Sequence, residues 1–172
     1  MIDYVDDLRA TVTQVSTRLL TVPESDAARH PAPGKWSSKE IIGHLIDSAA
    51  NNHLRFVRAQ FTNDLVAPGY AQEDFVRVQQ YQQAPWADLV TLWRDYNLHL
   101  ARVIEAMPEA VRLRERREHN LDEISWQPVA RDSPVTLDYF MADYVAHLHH
   151  HLRQIEAALG TAFSERAASS SG

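Results

Sequence analysis

His147 and His151 stand four residues apart in the run A-H-L-H-H-H-L-R-Q-I, Ala146 to Ile155. On a helix that spacing stacks two imidazoles on one face, from which both can reach a single cation, as in the metal motif H-x-x-x-H. Two ligands do not make a site, and the same pair also reads as interfacial histidines bonded to backbone or water. The helix itself is predicted from Leu137, Met141, Tyr144, Leu148, Leu152, Ile155 and Leu159, which recur every three or four positions. At about 100° per residue, His151 falls inside that apolar stripe and His147 on its edge, while His149 and His150 point away.

A second polar ridge lies earlier in the chain. The run S-S-K-E places Ser37 three residues before Glu40, a capping-box pattern that predicts a helix over about 37–60. Ile41, Leu45, Ala49 and Phe56 form its buried stripe, and Ser37, His44, Ser48, Asn51 or Asn52, and Arg55 follow one edge of it. The ridge reads either as a hydrated seam or as a third ligand, His44, with Ser48, Asn52 and Arg55 lining the cavity beside a metal. His53 points elsewhere on this helix.

Composition narrows the chemistry. The chain has no cysteine, so any metal is held by nitrogen and oxygen, and disulfides and a cysteine nucleophile are excluded. A net charge of −6 has the wrong sign for a nucleic-acid partner. The one basic cluster, R-L-R-E-R-R over 112–117, is flanked by glutamates and reads as a solvated segment. No apolar run approaches a membrane span, the acidic start M-I-D-Y-V-D-D-L is unlike a signal peptide, and the chain is expected in the cytoplasm. Glycine-rich phosphate loops are missing as well.

The remaining elements must position these residues. Ile2, Val5, Leu8, Val12, Val15 and Leu19 predict a first helix ending before Pro23, followed by a proline-rich loop. Residues 61–85 form a long connection, with a turn at Pro68 and a short helix from Gln72 to Tyr81. A third helix runs from Trp86 to Met107, with Trp93 and Tyr96 read as core aromatics. Residues 108–133 are a second crossover or a short ribbon, in which His119 is not a favoured ligand. Ser133-Pro134 opens the last helix and Gly160 closes it. The expectation is one all-α domain over 1–160, a four-helix bundle with an interior site, and a flexible low-complexity tail over 161–172.

The segment from Pro31 to Asp47, P-x-P-G-K-W-S-S-K-E-I-I-G-H-L-I-D, together with H-L-H-H-H-L-R-Q-I at 147–155, resembles the DinB/YfiT-like family of metal-dependent enzymes. The resemblance extends to Leu159. It implies an up-down-down-up bundle in which the two long connections are crossovers. It also implies a divalent metal on His44, His147 and His151, frequent homodimers, and relatives that include thiol-dependent transferases and an isomerase using low-molecular-weight thiols. Zinc and nickel come first as metals, with iron and manganese next, since histidine ligands accept all four. A small-molecule substrate follows, with a transferase-like or hydrolase-like reaction on the open coordination position. The competing class is a non-catalytic, metal-stabilised binding protein. Arg55 is expected to anchor a substrate carboxylate. Asp47, Asp143 and Gln154 are candidates to accept the second N–H of a ligand histidine, Asp47 reading first as a surface carboxylate.

Overall fold

The computed structural model describes residues 2–161, so the tail expected from 161 onward lies almost wholly outside the described residues. The elements are α1 (Asp3–Leu19), α2 (Glu24–Ala27), α3 (Ser38–Arg58), α4 (Gln72–Val78), α5 (Trp86–Glu105), α6 (Glu109–Arg112), α7 (Leu121–Ile124) and α8 (Leu137–Leu159). A single 3-10 turn, Tyr81–Gln83, leads into α5. Among the described residues there is no strand, only two isolated bridges, Leu65 with His119 and Arg116 with Val135. Among the described residues no helix is long and apolar enough to cross a membrane.

The long helices α1, α3, α5 and α8 bury the stripes their periodicity announced. Leu8, Val12 and Leu19 meet Ile42, Leu45 and Phe56, Trp93, Leu100 and Ile104, and Leu137, Met141 and Leu148 in one core. Pairwise contacts give their directions. Trp86 Nε1 donates to Leu19 O at 2.8 Å and Arg9 reaches Glu105 at 2.5 Å, so α1 and α5 are antiparallel. Phe56 meets Phe140 while His44 meets His147, so α3 and α8 are antiparallel too. Glu24 binds both Lys39 and the Trp86 amide, which sets the starts of α3 and α5 side by side. Tyr4 donates to Asp138 at 2.7 Å, joining the starts of α1 and α8. The bundle is therefore up-down-down-up.

Parallel α3 and α5 require the chain to return the length of the bundle, which residues 59–85 do. Residues 106–136 run alongside α8 as far as Trp126, whose backbone amide donates to Asp143 at 2.7 Å, before turning back. The last helix begins at Leu137, later than Ser133-Pro134 suggests. Val135 is still tied to Arg116 by two backbone hydrogen bonds of 2.8 and 3.0 Å, and the Thr136 side chain then caps the helix by accepting from the Tyr139 amide. The segment 112–117 is also not simply solvated. Arg116 is buried and donates to the carbonyls of Ala59, at the end of α3, and of Val111, in α6, satisfying acceptors that the ends of these helices leave open. Trp93 is a core aromatic, whereas Tyr96 is half-buried against His53.

Candidate metal centre

His44 owes its position to the start of α3. Ser37 Oγ accepts from the Glu40 amide, and the Glu40 carboxylate accepts from the Ser37 amide at 2.8 Å, the full capping box. Two turns later His44 is fully buried. On α8, whose C-terminus closes at Gly160 with φ +66°, His147 and His151 face it. His147 Nε2 lies 3.3 Å from His44 Nε2 and 3.0 Å from His151 Nε2. One ligand nitrogen from each residue falls within 4.8 Å of the others, the one such grouping of metal-binding side chains found among the described residues.

Burial without a counter-charge keeps these rings neutral. Desolvation, then the neighbouring imidazoles, pushes His44 down to about 3 and His147 down to about 2. Desolvation lowers His151 to about 4 against the opposing bond from Gln154. Gln154 Oε1 lies 2.9 Å from His151 Nδ1 and can only accept, so that nitrogen carries the proton and the Nε2 lone pair faces the cluster. Gln154 Nε2 extends the chain to His150 Nε2 at 3.0 Å. His147 Nε2 faces two other ring nitrogens and has at most one proton to share. His44 Nδ1 is buried with no partner. A divalent cation at the point of convergence accommodates these lone pairs, and the donor set fits one.

The ridge on α3 continues from the histidines into a cavity of about 210 Å³. Ser48, Asn52 and Arg55 line it with His147 and His151, so the structure brings together all six residues singled out in the sequence. Ser48 Oγ is 3.5 Å from His147 Nδ1, and Asn52 Oδ1 accepts from Arg55 at 3.3 Å. Arg55 is buried at the far end, where it donates to Pro68 O at 2.7 Å and packs 6.0 Å from the Phe140 ring centroid. Among the described residues it forms no ion pair. Burial lowers its pKa from the usual range.

The second contacts divide differently from expectation. Gln154 orients His151. Asp143 instead clamps the loop above the site, its two oxygens accepting the amides of Trp126 and Gln127 at 2.7 and 2.8 Å. Asp47 is no surface carboxylate: it is buried, and Oδ1 accepts from Tyr81 at 2.7 Å and Gln79 at 2.6 Å. His53 pairs with Tyr96 and His99 away from the centre. His119 is buried between Ser133 O and the Leu121 amide, and His149 binds Asp7 on α1.

Three aromatic residues at the centre escaped the sequence reading. Trp36 packs 5.3 Å from His44, Tyr70 stacks on the same ring at 6.4 Å, and Trp126 lies 4.3 Å from His150 and 5.5 Å from His147. Burial raises the Tyr70 hydroxyl pKa, which leaves it a protonated donor in the cavity wall. The available signal was that Trp36 and Trp126 are each the one large aromatic of their connection, whereas Tyr70 shares residues 61–85 with Phe61, Phe75 and Tyr81.

No curated protein matches the chain. Its fold is similar to that of YfiT from Bacillus subtilis, described as a probable metal-dependent hydrolase with an unusual four-helix bundle topology. The two share 15% sequence identity and a TM-score of 0.72, over 93% of this chain and 87% of that one. Residues 7–155, which reach from α1 into α8 and include all three histidines, match the sequence model of the DinB superfamily, and the chain belongs to that superfamily.

Proposed function

We propose that this protein is a divalent-metal-dependent enzyme acting on a small anionic molecule, with His44, His147 and His151 as ligands of zinc or nickel, or else of iron or manganese. The observation that carries this reading is one cavity with neutral, converging imidazoles at one end and an unpaired, buried guanidinium at the other. An ion held by three histidines supplies a Lewis acid with an open position, which lowers the pKa of a bound water or thiol.

The chain's own residues supply the rest. Arg55 receives a carboxylate or similar anion, since a buried guanidinium with no acidic partner gains most from one that arrives with the substrate. Ser48, Asn52 and the Tyr70 hydroxyl offer hydrogen bonds along the wall. Gln154 fixes the His151 tautomer, and Trp36 and Trp126 keep bulk water from the rings. The two carboxylates lining the cavity are engaged, Glu123 with Arg131 and Asp143 with backbone amides. With no free carboxylate base, we favour transfer involving a low-molecular-weight thiol, whose nucleophile needs no base from the protein. Hydrolysis is the second reading, favoured by the description of YfiT.

The test is elemental analysis by plasma mass spectrometry on protein purified without chelator, beside a His147→Ala/His151→Ala variant. About one divalent ion per chain, lost in the variant, is the expected result. The metal-restored protein is then screened for thiol conjugation and for ester and amide hydrolysis. Metal that neither co-purifies nor loads better into wild type than into the variant overturns the reading. A loaded protein inert in every screen, whose metal has no exchangeable position, points to a non-catalytic binding protein.

A further inference from the structure

The groove between α3 and α8 does not end at the histidines. Along α8, Phe140, Tyr144 and His147 line the cavity described above, while Gln154, Ala157 and Ala158 line a second one of about 530 Å³ beyond it. Along α3 the order is the same: Ser48, Asn52 and Arg55 belong to the first, Ile41 to the second, and His44 stands between. His151 lines both. The histidine centre is thus a divide between two compartments, reached from opposite ends of one groove.

Their chemistry differs. The compartment toward Arg55 is closed in by Tyr70 and Trp126 and ends in a buried cation. The other is walled by Trp36, Ile41, Ala157 and Ala158, with one cation, Lys35, and one anion, Glu73, exposed at its rim. Its size falls in the range of small-molecule pockets, which are mostly apolar with a few polar groups to fix orientation. We propose that the second compartment binds a second small molecule, with an apolar or aromatic body laid on Trp36 and the two alanines and its reactive end directed at the His151 side. The enzyme is then a two-substrate enzyme, with an anionic substrate held by Arg55 on one side of the histidines and an apolar co-substrate on the other. This rests on the three-histidine metal reading.

The probe is benzyl mercaptan added to the cobalt(II)-loaded full chain, because cobalt reports its own binding by visible absorption and a sulfur ligand by a near-ultraviolet charge-transfer band. Ala157→Trp fills the second compartment from an exposed position, and Ala158→Leu narrows it more gently should the larger change perturb α8. Ile124→Ala alters the first compartment alone. 2-Mercaptoethanol, which needs no apolar wall, controls for general damage at the centre. Expected is a tenfold or greater weakening of benzyl mercaptan in both alanine variants, with 2-mercaptoethanol within about twofold of wild type and Ile124→Ala without effect on either. Wild-type affinity for benzyl mercaptan in both alanine variants overturns the second compartment, as does an equal loss in Ile124→Ala. If no cobalt spectrum develops in wild type before any thiol is added, the metal reading fails first and this inference with it.

Discussion

His44, His147 and His151 are three titratable rings placed where a proton is unwelcome, and this has a thermodynamic consequence. In the unfolded chain a histidine titrates near 6.5. In the fold, burial holds these three at about 3, about 2 and about 4. Above pH 6.5 neither state binds the protons and the rings leave stability unchanged. As pH falls through 6.5 the unfolded chain takes up protons that the folded one refuses, so metal-free protein loses stability down to about pH 4, where His151 begins to protonate in place. The slope is at most about 1.4 kcal/mol per pH unit for each histidine. Urea unfolding at pH 7.5 and 5.0 should show that loss, smaller in His147→Gln, and equal slopes in the two proteins would contradict the neutral cluster. Gln154 has its own prediction. Gln154→Leu leaves the His151 Nδ1 proton without an acceptor, which should weaken metal binding roughly 10–100-fold in competition with a chromophoric chelator. Gln154→Glu should retain the affinity. Undiminished binding in Gln154→Leu would make the contact incidental.

The elements that carry the ligands are held by contacts of unequal legibility. A glycine in mid-helix normally costs about 1 kcal/mol against alanine, yet Gly43 sits beside His44 in α3. A Cβ there would lie 2.1 Å from Tyr81 Cδ2 and 2.2 Å from Cγ, and Tyr81 is pinned by its hydrogen bond to Asp47, one turn further on. Gly43→Ala should therefore destabilise the protein by about 1–2 kcal/mol, since overpacking of a tight contact costs typically 1–3 and only part is returned as helix propensity. Chemical denaturation decides it: a variant as stable as wild type would mean that Tyr81 is free to move. The long helices could be read from sequence because 3.6-residue periodicity and a capping box are local, and His44, Ser48, Asn52 and Arg55 could be sorted onto one edge by arithmetic. Asp47 could not be placed that way. Its burial depends on Tyr81 and Gln79, 34 and 32 residues away, in a connection without periodicity. Trp36, Tyr70 and Trp126 escaped for the same reason, each being set by long-range packing of a loop. Arg116 looked solvated because its acceptors, carbonyls of Ala59 and Val111, leave no mark in the sequence.

At the scale of the whole molecule, the candidate metal ties only α3 to α8. The core that joins them to α1 and α5 runs through Leu8, Leu19, Trp93, Leu100 and Ile104, none of which touches the histidines' hydrogen-bond network. A fold with this much apolar burial does not need the ion, unlike a small zinc domain whose folding free energy is its metal binding. Chelator-treated protein should therefore keep its helical circular dichroism and a single cooperative transition. Adding metal should then raise Tm by linkage: at a free concentration of about 1,000 times Kd the native state gains about 4 kcal/mol, which for a chain of this size corresponds to roughly 8–16 °C. The His147→Ala/His151→Ala variant should unfold cooperatively and show no such rise. The two results together separate the classes of site. A metal-free protein that is already unfolded would make the ion structural, and the open coordination position assumed for chemistry would lose its main support. A folded metal-free protein whose Tm responds to metal in wild type alone is what a catalytic centre built into a self-sufficient bundle requires.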